Sequence, residues 1–253
     1  MPPEHRTDLL AILGSTTPPG RMHRAVAGAI ERARGRGVEA DLFDLGAHAL
    51  GFADGTPVED LDDDTATAVA AVGSASALVV ATPVYRGSMT GSLKNLLDLT
   101  PVPALQGKVV GIVAMGASDH HYLGAERHLR DVLAFFGAIP MPVAVYLNGA
   151  DFADGVPGER AATLLDELFV ATVEAAAALA GTAAGHEPSP LAARAIKPRA
   201  EAAATAATSG NRLATAGDSA TTADPRPATA DPRPATADPR PTTADPRPAT
   251  PAR

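Results

Sequence analysis

Residues 77–99 read ALVVATPVYRGSMTGSLKNLLDL. Ala77–Ala81 is a short apolar run, the pattern of a strand covered on both faces. Pro83 fixes the turn after it, and Gly87 and Gly91 permit tight backbone. Thr90–Leu99 has the spacing of a short helix, with Thr90 placed to cap it. Tyr85 is a large amphipathic side chain in the loop between strand and helix, where it can stack on a planar ligand.

The same unit recurs on both sides. Asp8–Leu13 (DLLAIL) predicts a first strand, followed by the loop GSTTPPG and a helix from Arg21 to about Arg34. Val38–Leu45 predicts the second strand, and an Ala/Val helix follows over about 65–74. Lys108–Ala114 predicts the fourth strand, and 123–136 a helix. Pro142–Leu147 predicts the fifth strand, and Glu159–Leu179 a long closing helix. Strands alternating with helices predict a three-layer α/β/α fold around a five-stranded parallel sheet. At this length the expected strand order is the flavodoxin-like 2-1-3-4-5. Ligands of that fold bind beyond the C-terminal ends of the strands, at the switch point between strands 1 and 3. The loops 14–23, 82–88 and 115–121 should converge there.

Loop 14–23 joins a strand to a helix N-terminus, where free backbone N–H groups and the helix dipole favour an anion. Ser15, Thr16 and Thr17 add hydroxyls, and Arg21 adds a permanent charge with a bidentate fork. The composition is that of a monophosphate cradle or of an ordinary capped turn. It is neither a Walker A loop, since Arg21 and Met22 replace Lys and Ser/Thr, nor GxGxxG. In the second loop, Ser88 and Thr90 are placed to bond a ligand or cap the next helix. Lys94 and Asp98 are four apart on that helix, as a solvated pair or a contact between subunits. In the third loop Gly116 permits close approach to a ligand. His120 and His121 are adjacent and diverge, so no metal site is expected. GxSxG is absent, which removes the usual hydrolase signature.

The chain of 253 residues has no Cys, which excludes disulfide scaffolds, zinc fingers and thiol nucleophiles. No apolar run reaches the roughly 18–20 residues of a membrane span. No signal peptide is evident at MPPEHRTDLL, so a cytoplasmic protein is expected. All nine aromatics lie between Phe43 and Phe169, whereas 12 of 23 prolines lie in 182–253. Residues 1–181 are therefore read as the folded domain and 182–253 as a disordered tail rich in Pro, Ala and Thr. From Ala223 that tail cycles through ADPRPAT, a spacer, a docking segment or a slipped repeat without a role. The domain holds 12 Lys and Arg against 22 Asp and Glu, net −10; the tail holds 9 against 7, net +2. An acidic domain argues against nucleic acid as a partner.

With these residues laid out, the chain resembles the NADPH-dependent FMN reductase family, closest to reductases that supply reduced FMN to two-component, alkanesulfonate-type monooxygenases. The resemblance rests on Gly14-Ser15, Arg21, Ala81-Thr82-Pro83-Val84-Tyr85, Gly91, Leu93-Lys94-Asn95, Leu97-Asp98, Gly107-Lys108 and Gly116, and covers about residues 8–155. It implies an FMN site with NADPH or NADH as reductant. Ser15, Thr17, Arg21, Met22 and His23 would hold the FMN phosphate. Thr82, Pro83, Val84, Tyr85 and Ser88 would border the isoalloxazine ring and ribityl chain. Gly116, Ala117 and Ser118 would lie along the ring's other edge. Gly20 and Met22 stand where relatives often carry hydroxyls, and Ala117 where they carry a second glycine. No catalytic side chain is implied, because the flavin carries the chemistry. The expected partners are FMN, NAD(P)H and a flavin-dependent monooxygenase, in a homodimer or homotetramer. The alternatives are a bound-flavin reductase of quinones, azo dyes or metal oxyanions, a flavodoxin-like electron carrier, and a scaffold whose tail does the work.

Overall fold

The computed structural model describes residues 8–182 and Ala184. The tail and its repeat lie outside the described residues, save Thr182 and Ala184.

Five strands and four helices alternate first: β1 Leu9–Leu13, α1 Arg21–Gly35, β2 Ala40–Asp44, α2 Thr65–Ser74, β3 Ala77–Pro83, α3 Gly91–Leu99, β4 Val109–Met115, α4 Gly124–Phe135 and β5 Ile139–Pro140. Then come β6 Val145–Leu147, a small hairpin of β7 Phe152–Ala153 and β8 Val156–Pro157, and α5 Glu159–Leu179. The sheet order is β2-β1-β3-β4-β5, with β6 also on β4, and every pairing in this sheet is parallel. This is the expected flavodoxin-like arrangement.

Alternate residues of each strand point to opposite faces, and the core divides accordingly. Leu9, Ala11 and Leu13 pack against α1 and α5 with Val26, Ile30, Leu165 and Phe169. Leu10 and Ile12 pack on the other face with Leu93, Leu96, Leu129 and Leu133 from α3 and α4. Burying each such Leu contributes about 1.5–3 kcal/mol. Gly111 sets how close α5 lies: a Cβ there would stand 2.8 Å from the Thr172 hydroxyl and 3.1 Å from Val79 Cγ2.

The fifth strand differs from its expected single run over Pro142–Leu147. Ile139 and Pro140 pair with Val109 and Val110, and Val145–Leu147 with Val113–Met115. The Met141 N–H still donates to the Val110 carbonyl (2.8 Å), but the partner offset grows from 30 to 32 residues across the break, so the chain leaves the ladder between Met141 and Val145. Pro140 and Pro142 alternate with Ile139 and Met141, whose N–H groups face β4, so the missing N–H groups fall on the outer side of this edge strand, where proline is tolerated. β3 and β4 also run further than expected, so Thr82, Pro83 and Met115 are strand residues. Among the described residues no helix is long and apolar enough to cross a membrane.

Candidate functional site

The ends of β1, β3 and β4 open into one crevice of about 280 Å³. Its wall on the β1 side is loop one. β1 ends at Gly14, whose N–H donates to the Ala81 carbonyl (2.7 Å). A Cβ at Gly14 would lie 2.9 Å from Leu93 Cβ, so the strand end must be glycine to sit against α3. The loop then turns on itself: the Ser15 and Thr17 hydroxyls are 2.8 Å apart, and the Thr17 N–H donates to Ser15 Oγ (3.3 Å). α1 starts on Gly20 without a side-chain cap. Its first N–H groups are therefore left to solvent or a ligand. Arg21 is exposed, and its guanidinium lies 5.7 Å from the Phe152 ring centroid. It forms no ion pair among the described residues, so its charge is open to an anion. Met22 and His23 also line the crevice, Met22 from the core side at 3% exposure. His23 Nε2 stands 3.7 Å from Asp44 Oδ2 at the end of β2.

The opposite wall is Pro83, Val84 and Tyr85. Tyr85 and Ser88 exchange two backbone bonds of 2.9 and 3.1 Å across Arg86 and Gly87. Both central residues have positive φ, 53° and 78°, the geometry of a type I′ turn. The turn rests on the start of α4, where a Cβ at Gly124 would stand 2.9 Å from the Gly87 carbonyl. Tyr85 is thus half-exposed on a fixed hairpin at the mouth of the crevice.

Met115, Gly116 and Ala117 close the third side. A Cβ at Gly116 would overlap the Tyr146 hydroxyl, so this position also requires glycine. The Tyr146 hydroxyl donates to the Ser118 carbonyl (2.6 Å). Loss of solvent, and then the nearby Asp119 carboxylate, push the Tyr146 phenol above its ordinary value. Tyr146 therefore stays a neutral donor that fixes the third loop.

Three of the expected contact residues stand behind the crevice lining. Thr82 is fully buried; its hydroxyl donates to the Pro83 carbonyl (3.0 Å) and accepts from the Thr90 N–H (3.1 Å). Ser88 Oγ lies 2.8 Å from His128 Nδ1 on α4, and Ser118 Oγ 3.3 Å from His121 Nδ1. Lys94 pairs with Asp98 inside α3, Nζ to Oδ1 2.5 Å. The lining also includes Leu13, Pro18, Pro19 and Met115, which the sequence reading did not single out, and Gly20. Strand length decides Leu13 and Met115. Tyr146 was missed too, since its role depends on the bulged edge strand that carries it.

This crevice has an uncapped helix start, clustered hydroxyls, an open guanidinium and an aromatic wall. The donor set fits a phosphate monoester, and the Tyr85 wall fits a planar ring. Comparison with known proteins points the same way. The sequence profile of NADPH-dependent FMN reductases matches residues 7–152. An NAD(P)H-dependent FAD/FMN reductase of Geobacillus thermodenitrificans is 38% identical over 115 residues, which are 46% of this chain and 62% of that protein. The chain thus spans less than two thirds of that relative. NADH-dependent FMN reductase SfnE of Pseudomonas putida is 34% identical over 149 residues, 58% of this chain and 80% of SfnE. The crystal structure of the apo form of NADH:FMN oxidoreductase (EMOB) superposes with a TM-score of 0.53 at 26% identity, covering 66% of this chain and 88% of that one. A match that runs from the start of β1 to the hairpin after β6 takes in all three walls of the crevice, and by it the chain belongs to the NADPH-dependent FMN reductase family.

Proposed function

We propose that the chain is an NAD(P)H-dependent FMN reductase that works in the crevice at the ends of β1, β3 and β4. One observation carries this reading. An Arg21 with no ion pair among the described residues and an uncapped α1 start stand across one crevice from a rigidly mounted Tyr85. Ser15, Thr17, Arg21 and the first N–H groups of α1 hold the phosphate, with Met22 and His23 beside them. Pro83, Val84 and Tyr85 border the ring and ribityl chain, and Gly116 and Ala117 lie along the far edge. Thr82, Ser88 and Ser118 set these walls from behind. Bound FMN supplies the ring that accepts a hydride from the reduced nicotinamide. The chain's own part is position: no side chain has to move a proton for that step.

The reduced flavin then leaves for a separate acceptor, a flavin-dependent monooxygenase. The resemblance over TPVY, LKN and LD supports this destination, as does a crevice open to solvent. The test is anaerobic oxidation of NADH and NADPH by limiting protein at graded FMN. Saturable, multiple-turnover reduction of free FMN is expected. A single stoichiometric reduction that restarts only with a quinone or azo dye would replace this reading with a bound-flavin reductase. No nucleotide oxidation would leave an electron carrier or scaffold.

A further inference from the structure

A second hollow, about 450 Å³, lies on the other side of loop one. Thr16 lines it, while its neighbours Ser15 and Thr17 line the first crevice. The two spaces therefore share one wall. Phe52 borders the hollow and is 78% exposed, the most exposed large apolar side chain among the described residues.

Its backbone is not loose. Asn95 on α3 donates from Nδ2 to the Gly51 carbonyl (2.7 Å) and accepts at Oδ1 from the Ala53 N–H (2.9 Å), so it grips the chain on both sides of Phe52. The Gly51 N–H donates to Thr65 Oγ1 (3.0 Å), and the Ala49 N–H to Asp64 Oδ2 (2.9 Å). His48 is stacked on Phe43, ring centroids 4.2 Å apart at 16°. An aromatic side chain carried on backbone held this firmly and left in water is a prepared stacking surface.

The charge around it has one sign. No Lys or Arg lines the hollow. Asp64 Oδ2 stands 3.4 Å from His48 Nδ1. Asp63 lies against Gly51, where a Cβ would stand 2.9 Å from its Oδ2. Hydrogen bonds from the Thr65 side chain and backbone hold Asp63 below the usual carboxylate range, so it is ionised. Carboxylates accept hydrogen bonds from a ribose 2′-hydroxyl and repel a 2′-phosphate.

Building on the reductase reading above, we propose that Phe52 is the platform on which the adenine of the dinucleotide substrate stacks, and that the carboxylates of Asp63 and Asp64, set against the Ala49 and Gly51 backbone beside the hollow, make the site select NADH over NADPH. The occupant follows from the shared wall. A dinucleotide with its nicotinamide in the first crevice has a second aromatic base to place, and the neighbouring hollow offers an aromatic face. Asn95, in the LKN motif, is then a positioning residue for Phe52.

The test compares the native chain with Phe52→Ala and Phe52→Tyr at saturating FMN, using NADH and reduced nicotinamide mononucleotide, which lacks the adenine. Phe52→Ala is expected to raise KM for NADH about tenfold or more, the usual effect of losing one base–aromatic stack. It should leave KM for the mononucleotide and kcat unchanged, and Phe52→Tyr should restore the native KM. ADP-ribose binding, followed by calorimetry on the full chain without flavin, should weaken in parallel. NADPH should show a kcat/KM at least tenfold below that of NADH. An equal loss with NADH and the mononucleotide would overturn the platform, and so would an Phe52→Ala chain whose sedimentation shows a lost subunit contact. Equal use of NADPH would overturn the selectivity. Absence of any FMN reduction by the native chain would instead count against the reductase reading, while the ADP-ribose titration would still decide the platform.

Discussion

Thr90 makes three bonds, two through its hydroxyl and one through its backbone N–H. Its hydroxyl accepts from the Leu93 N–H (3.2 Å) and caps α3. The same hydroxyl donates to the Gly14 carbonyl, and the Thr90 N–H donates to Thr82 Oγ1. One buried residue thus ties the helix, loop one and the end of β3 together, which is why a site made of three loops keeps its shape. Thr90→Val keeps the volume and removes the hydroxyl, leaving a buried carbonyl and a helix N–H without partners. A loss of about 2–4 kcal/mol in chemical denaturation is expected, largely recovered by Thr90→Ser. A change below about 0.5 kcal/mol would show that neither bond matters. The cap was legible in the sequence, because Thr immediately precedes an apolar helix. The bond to Gly14 was not, since it joins residues 76 apart in the chain.

At the scale of elements, β4 and α2 are joined by Lys108. Its Nζ donates to the carbonyls of Val72 (2.5 Å) and Gly73 (3.1 Å) in the last turn of α2. Those carbonyls favour the charged amine, but burial opposes it and lowers the Lys108 pKa to about 8. Below pH 8 both folded and unfolded chains hold the proton, and folding bears the full cost of burying the charge. Between about 8 and 10.5 only the unfolded chain holds it, so stability rises with pH through that window. Relative to Lys108→Met, the native chain should gain stability between pH 7.5 and pH 10 in urea titrations. A difference that stays flat or falls would contradict the assignment. The helices and first four strands were readable from periodicity, and α5 begins and ends where Glu159 and Leu179 suggest. The fifth strand was not, because a run of apolar residues does not reveal that the chain leaves the ladder between Met141 and Val145. The β7–β8 hairpin was overlooked although Asp154-Gly155 signals its turn, with φ of 50° and 75°. Arg24 Nε donates to the Gly155 carbonyl (2.6 Å) and fixes that hairpin on α1, beside loop one.

Over the whole molecule the charge runs against the proposed ligand. The chain carries a formal net charge of −8, and FMN brings a dianionic phosphate. Attraction must therefore act locally, within a Debye length of about 8–10 Å, through loop one and Arg21. The strand order pointed to this place from sequence alone, since loops after β1, β3 and β4 meet at the switch point. Which hydroxyls face the crevice was beyond pattern reading: Thr16 turns to the second hollow, while Ser15 and Thr17 turn to the first. The measurement that bears most directly on this account is a pair of equilibrium titrations, FMN and riboflavin, on the native chain and on Arg21→Ala. The two flavins differ only in the phosphate. Arg21→Ala is expected to weaken FMN by about 1.5–3 kcal/mol, the range for hydrogen bonds to charged groups, and to leave riboflavin unchanged. An equal loss for both flavins would mean that Arg21 does not act on the phosphate, and no loss for either that the phosphate is held elsewhere; either result would contradict the account.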